Sequence, residues 1–317
     1  MDVIGIGKPY YDMVINVKKL PEMDGATGAE AVFHQGGGKV ATAMVAAARL
    51  GARAGMIARV GDSESGKFIL NDFKSNGVDT SAIIIDEPGT TNSFCLSLSE
   101  QESRKRIFIG KGGTAKPLNN QDINYIYLQS AKYLEVESGE EEISEKVLPF
   151  AKSRGIKTVI DADGYNNNIP GILPFIDYFI ASEFCYQSME GDSEYKAGLA
   201  RIKAQGPGVV IVTLGSEGCV GIDEHGEFFQ IDSFKVNAID TTGAGDVFHG
   251  AFIAGLLEGK STQGSVVFAN AAAAIKCLYP GGRTGIPTKN MVEEFISTGE
   301  FNTDDLDERL NYYLNNL

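Results

Sequence analysis

The stretch Ala238–Gly250, AIDTTGAGDVFHG, gathers an aspartate, two threonines, two glycines and a second aspartate just before an apolar helix. Phe248, Phe252 and Leu256 recur every four residues and mark one face of that helix. Gly243–Asp246 therefore sits at a helix start, where backbone N–H groups lack intrahelical partners and can hold an anion. A carboxylate beside an anion nest is awkward if anion binding is the whole task. It makes sense if Asp246 takes the proton of a hydroxyl that a phosphoryl group is reaching, while the N–H groups stabilise charge building on that phosphoryl. The local spacing leaves a second reading open, in which Asp246 only satisfies first-turn N–H groups.

Around this stretch, short β-branched runs alternate with helical patterns. VIGIG opens the chain, KVATAMVAAARLG reads as an alanine-rich helix closed by Gly51, and GMIARVG reads as a strand. SESGKFILNDFKSNG is a helix with Ser63 as its N-cap, and AIIID follows as a strand. KYLEVE, KTVIDAD, DYFIAS and GVVIVTLG are further strands, with helical stretches between most of them. The alternation predicts an α/β fold with right-handed crossovers and a mainly parallel sheet covered on both faces.

Two regions depart from that rhythm. Residues 11–34 contain YDMVINV and GAEAVFHQ, and residues 90–110 contain TTNSFCLSLS and RKRIFIG, joined by EQES as a hairpin. Both read as insertions in one domain spanning residues 1–317. They form a small β-sheet, either a lid over a site at the C-terminal ends of the main strands or a plain extension. Leu306, Leu310, Leu314 and Leu317 share one face of a C-terminal helix, expected to dock on its own domain, with a partner-binding helix as the alternative.

Composition narrows the function classes. The 317 residues are 43% hydrophobic and 22% charged, with a formal charge of −14. Such an acidic globular chain does not attract nucleic acid or an anionic membrane nonspecifically. Cys95, Cys185, Cys219 and Cys277 lie far apart with no C-x-x-C, which argues against a zinc site or disulfide framework and fits a cytoplasmic protein. MDVIGIGKPYYD enters a strand-like run with no basic leader, and no apolar run approaches a membrane span. GIGKPY fails the dinucleotide fingerprint because Tyr10 takes the third glycine's place. FHQGGGKV fails the P-loop pattern at Phe33 and Val40.

DTTGAGD followed by FHGAF resembles the C-terminal signature of the ribokinase/PfkB family of carbohydrate kinases. GGGKVATAMVAAARLGA is similar to that family's N-terminal glycine motif, and ARVGDSESGKFILNDFKSNGVDT to its next block. VTLGSEGCV and FANAAAAIKCLYPGGRTGIP resemble its nucleotide-site segments, so the likeness runs over nearly the whole chain. DTTGAGDVFHGA, GGRTGIP and the ATA after Lys39 are most similar to the ketose-type kinases that include sulfofructose kinase.

The resemblance implies a ribokinase-like three-layer α/β/α core with a β-sheet lid, ATP with Mg²⁺, a role for K⁺ in some relatives, and a homodimer through the lid. It implies that Asp246 is the base. The N–H groups of Ala244, Gly245 and Asp246, with Gly243 allowing the turn, would form the anion hole. Asp12 and Gly36, Gly37 and Gly38 would hold sugar hydroxyls, with Lys39 at the motif's lysine position. Thr213, Gly215 and Gly218 would border ATP phosphate and ribose, and Asn270 and Ala273 the adenine. Asp240 and Thr242, with residues near Gly282 to Gly285, would form the monovalent-cation loop.

The departures from the family matter as much. Its Asn-x-x-Glu pattern, tied to magnesium, falls at Ser182 and Cys185, leaving Glu183, Asp161 or Asp163 to act through water. Thr42 stands where the glycine motif has asparagine, so sugar contacts differ. The positions expected to supply donors to a sulfonate are Gly110 and Gly139, which weakens the sulfofructose assignment. Arg104 and Lys105 read as a solvated hairpin edge, and Arg106 and Lys111 are open to an anionic group. His249 reads as a packed helix residue and Cys277 as a small buried one. The expected function is ATP-dependent phosphorylation of a sugar hydroxyl. The rivals are a nucleoside kinase of the same superfamily and a catalytically silent sugar-binding or regulatory protein. The intact Gly243–Asp246 segment argues against the silent binder.

Overall fold

The computed structural model describes residues 1–103, 105–191 and 194–315; Arg104 and Leu317, named above, lie outside them. The chain opens with β1 (Val3–Ile6), makes the hairpin β2 (Tyr10–Val17) and β3 (Ala29–Gly37), and returns through α1 (Lys39–Arg49) to β4 (Ala54–Asp62). Helix α2 (Glu64–Ser75) leads to β5 (Ile83–Pro88), and the hairpin β6 (Ser93–Glu100) and β7 (Arg106–Lys111) follows. Then come α3 (Tyr125–Leu128), β8 (Tyr133–Glu137), α4 (Glu141–Ser153), β9 (Lys157–Ala162), α5 (Ile169–Ile172) and β10 (Tyr178–Ser182). Next are α6 (Glu183–Glu190), α7 (Tyr195–Lys203), β11 (Val209–Thr213), β12 (Cys219–Ile222) and β13 (Phe228–Ile231). Four helices close the chain: α8 (Ala244–Leu257), α9 (Thr262–Lys276), α10 (Lys289–Thr298) and α11 (Asp304–Asn315).

The main sheet runs β13-β12-β11-β10-β9-β8-β1-β4-β5, parallel from β11 to β5 and antiparallel at β12 and β13. Its strands are apolar on both faces because each feeds two cores. Val3, Val159, Ile180 and Ile211 pack in one core with α1, α8 and α9, while Ile4, Ile160, Phe179 and Val210 pack in the other with α4 and α7. Strand side chains alternate direction, so neighbouring residues enter opposite layers. This is the expected three-layer arrangement.

The second, smaller sheet runs β3-β2-β6-β7. Its strands come from the two regions that broke the βα rhythm. The outer strand β7 is exposed along its length, with Ile107, Phe108 and Ile109 on it. Helix α11 docks against β3 of the same chain, with Leu306 buried in the main core and Tyr313 in a satellite core with Val14 and Phe33. Ser63 caps α2 as expected, accepting the Gly66 N–H at 3.4 Å. Among the described residues no helix is long and apolar enough to cross a membrane.

Candidate active site

The C-terminal ends of β9, β10 and β11 meet the N-terminus of α8 in a cleft of about 400 Å³, flanked by Asp12 of β2 and by β6 and β7. Gly243 begins α8 in the left-handed conformation, with φ 75°. A Cβ there would lie 2.9 Å from both the Cα and the carbonyl oxygen of Gly282, so the turn needs glycine on both counts. Ala244 spends its N–H on the Thr241 carbonyl at 3.2 Å. The N–H groups of Gly245 and Asp246 have no backbone acceptor among the described residues, which leaves two donors for an anion. Burial and neighbouring charges, with no hydrogen bond from this turn, set the state of the Asp246 carboxyl among the described residues.

Asp246 shares the cleft with Lys39, Asp161, Asp163 and His249. Lys39 reaches Asp163 Oδ2 at 3.1 Å. Burial and the Asp161 carboxylate push the Asp246 pKa well above the usual carboxylate value, while His249 and Lys39 pull it back. A raised pKa makes the ionised carboxylate a stronger base.

His249 is buried between two carboxylates. Its Nδ1 lies 3.3 Å from Glu135 Oε1 and its Nε2 3.7 Å from Asp161 Oδ1. Burial alone would lower its pKa, but Asp161, Glu135 and Asp246 push it to about 9, so the ring is a cation at neutral pH. Glu135 is fully buried, and neither of its oxygens accepts a well-aligned hydrogen bond among the described residues. Burial also drives Glu137 up to about 7, although it accepts the Lys8 N–H at 3.0 Å. By sequence KYLEVE reads only as a strand, and the signal for this pair is two glutamates, two positions apart, on one face of an otherwise apolar strand.

At the far end of the cleft, Asp12 lies against the glycine motif. A Cβ on Gly37 would collide with the Asp12 carboxylate, and one on Gly36 with Arg283 and Asp72. Gly38 and Lys39 line the cleft, whereas Thr42 is buried and accepts from Arg283 Nε at 3.3 Å. Thr42 thus braces the motif from behind. Burial raises the Asp12 pKa to about 7, with Arg283 opposing the rise and Asp72 adding to it.

A second cleft, of about 370 Å³, opens on the other side of the turn and meets the first at Thr241. Gly215, Asn270 and Ala273 line it, beside an apolar wall that includes Phe234, Val236 and Cys277. That shape suits a flat apolar ring system. Thr213 borders the first cleft instead, and Gly218 lines neither. Gly218 turns the chain between β11 and β12, packed against Ile231 and Ser233. Asp240 is buried behind the turn, its carboxylate accepting the Thr242 and Gly281 N–H groups at 2.8 Å each.

The small sheet touches this centre. Arg106 of β7 donates to Thr241 Oγ1, and Ser97 Oγ of β6 lies 3.5 Å from Thr242 Oγ1. On the opposite wall, Ser182 donates to the Asp163 carbonyl at 2.8 Å and caps α6 by accepting the Cys185 N–H at 3.1 Å. Cys185 is buried and its thiol pKa rises to about 12. Glu183 is turned towards Tyr195 and Gln187. Among the described residues no group of three His, Cys, Asp or Glu side chains is arranged to hold a metal on its own. Asp161 and Asp163 remain as carboxylates facing the cleft. Mg²⁺ bound mainly by water and nucleotide phosphates needs no more than one or two such groups.

A pfkB family carbohydrate kinase model matches residues 2–289. The chain is 31% identical over 301 residues to a ribokinase of Bacillus subtilis (strain 168), spanning 92% of this chain and 98% of that one. It is 28% identical over 281 residues to a 5-dehydro-2-deoxygluconokinase of Clostridium perfringens, spanning 82% and 83%. The fold matches the crystal structure of a ribokinase from Thermotoga maritima with a TM-score of 0.79 at 24% identity, over 94% of this chain and 99% of that one.

Proposed function

The chain belongs to the pfkB family of carbohydrate kinases and is an ATP-dependent sugar kinase, and we propose that its acceptor is a hydroxyl of a ketose or related carbohydrate, with Asp246 as general base. One observation carries the assignment of the base: Asp246 shares a cleft with the N–H groups of Gly245 and Asp246, which have no backbone acceptor among the described residues.

In this reading the sugar lies between Asp12, Gly38 and Asp246, and the adenine between Asn270 and Ala273. Asp246 takes the hydroxyl proton as the sugar oxygen bonds to the γ-phosphorus. The bond from that phosphorus to the β–γ bridging oxygen breaks, and ADP leaves. The N–H groups of Gly245 and Asp246 offset charge on the transferred phosphoryl. Asp161 and Asp163 would hold Mg²⁺ through water, and the ion would neutralise charge on the ATP phosphates. The contacts of Arg106 and Ser97 with the turn support a lid that excludes water as a competing acceptor. The apolar exposed strand β7 supports self-association through the same sheet, which sedimentation of the pure protein reads directly.

The test is ADP release from ATP and Mg²⁺ over ketoses, aldoses, sugar acids and nucleosides. Turnover confined to nucleosides overturns the acceptor class. A sugar that raises the melting temperature without turnover overturns the catalytic reading. Asp12 adds a pH signature. With its pKa about 7, it loses its charge as pH falls, so the sugar KM rises on acidification while the ATP KM does not follow. Asp12→Asn should flatten that dependence. A wild-type sugar KM that is level from roughly pH 6 to roughly pH 8 removes Asp12 from sugar recognition.

A further inference from the structure

Lys276, at the C-terminal end of α9, is wholly buried, and its Nζ donates to the Asp240 carbonyl at 2.8 Å. A buried ammonium is costly unless paired and hydrogen-bonded, so its position calls for a cause. It lies against the loop that, by the resemblance, would hold a monovalent cation. Such an ion needs several oxygen lone pairs turned towards one point and not engaged by other donors.

Six oxygens of the two segments here, from Asp240, Pro280, Arg283 and Thr284, are engaged. Both Asp240 carboxylate oxygens accept backbone N–H groups, from Thr242 and Gly281, at 2.8 Å. The Asp240 carbonyl accepts Lys276, and the Pro280 carbonyl accepts the Thr284 hydroxyl. The Arg283 and Thr284 carbonyls accept Arg309 of α11, at 2.9 and 3.4 Å. Two cationic side chains, Lys276 and Arg309, therefore already sit on three of these carbonyls. The residues present do not fit a bare K⁺. Burial would raise the Asp240 pKa, but the Lys276 charge and the two N–H groups outweigh it and hold it below the usual value. Burial lowers the Lys276 pKa in turn and the Asp240 charge pulls it back up, so the two groups support each other's charged forms through the Asp240 main chain.

We propose that the Lys276 ammonium replaces the monovalent cation behind the N-terminus of α8, so that this kinase works without K⁺. The proposal rests on the reading of Gly243–Asp246 as the phosphoryl-transfer turn. The link to that turn is direct: Asp240, which Lys276 holds, lies three residues before Gly243 and accepts the Gly281 N–H of the loop after α9, where Gly282 is the residue a Cβ on Gly243 would strike. The loop that Lys276 anchors therefore sets where the free N–H groups of Gly245 and Asp246 point.

Two measurements on the wild-type protein test it, at matched ionic strength in choline chloride and in KCl. Turnover should agree within about twofold, and the melting temperature should not move with K⁺. Stimulation by K⁺ of about tenfold or more, or a saturable rise in melting temperature with K⁺, overturns the proposal. The melting arm decides even if no substrate has been found, so failure of the proposal is distinct from failure of the kinase reading. Lys276→Ala should lose turnover in choline and regain part of it in K⁺. Wild-type turnover of this variant in choline also overturns the proposal. If the variant does not fold, the two wild-type measurements stand alone and still decide.

Discussion

Asp246→Asn should lower kcat by about 10²–10⁴-fold while ATP still binds and the fold is kept. Asparagine has the shape of aspartate and cannot take a proton. Burial and neighbouring charges, not hydrogen bonds of the helix start, set the state of this carboxyl among the described residues, so the substitution removes no cap. The backbone donors of Gly245 and Asp246 survive the substitution, and so does residual binding of the transferred phosphoryl. An isothermal titration with ATP beside single-turnover kinetics separates the two effects. Near-normal turnover in the variant would return Asp246 to a purely structural role.

The same carboxyl makes a signed prediction about pH. Its folded-state pKa lies well above its unfolded value, from burial first and Asp161 second. The folded protein therefore binds that proton more tightly. The stability this contributes is fully present below the unfolded pKa and is lost as pH rises through the folded one. Asp246→Asn removes that loss, so the variant should melt no lower than wild type near neutrality. The acid limb of the wild-type kcat profile should sit above the ordinary carboxylate range and be absent from the variant. A variant that melts well below wild type would show the carboxylate to be stabilising, against the electrostatics of the cleft.

The alternation of strands and helices was legible because most parallel strands carry a short run rich in apolar and β-branched residues between helical patterns. DTTGAGD was legible because one turn holds the whole motif within a few residues. What stayed hidden depends on register. Glu137 lies beside Asp161 because β8 and β9 pair in parallel, and His249 meets Glu135 and Asp161 because α8 packs over those strands. No local pattern joins residues 135, 161 and 249. Gly218 fits the family's nucleotide segment by position, but its left-handed backbone is spent on the hairpin turn. Lys276 stands in an alanine-rich helix run, where neither period nor spacing shows that its tip reaches Asp240.

Arg283→Met should cost about 3–5 kcal/mol of stability, the range for removing one partner of a buried ion pair. Arg283 is fully buried, and its guanidinium pairs with Asp72, whose side chain is 3% exposed. It also donates to the Gly37 carbonyl at 3.2 Å and to Thr42. One side chain thereby ties α2, the glycine motif and the loop after α9 together across more than 200 residues of sequence. Methionine fills much of the volume but leaves the Asp72 carboxylate in the interior without a counter-charge. Tyr313 still donates to Asp72 Oδ1 at 2.6 Å, which favours the lower part of that range. The melting temperature should fall by on the order of 10 °C, and Asp72→Asn in the same chain should restore part of it. The double-mutant cycle separates the ion pair from lost packing, because only the pair gives a coupling energy. The sugar KM should rise more than the ATP KM, since Gly37 precedes Gly38, which lines the end of the cleft proposed for the sugar. A single variant within about 1 kcal/mol of wild type would mean that the interior hydrates or neutralises Asp72 without its arginine.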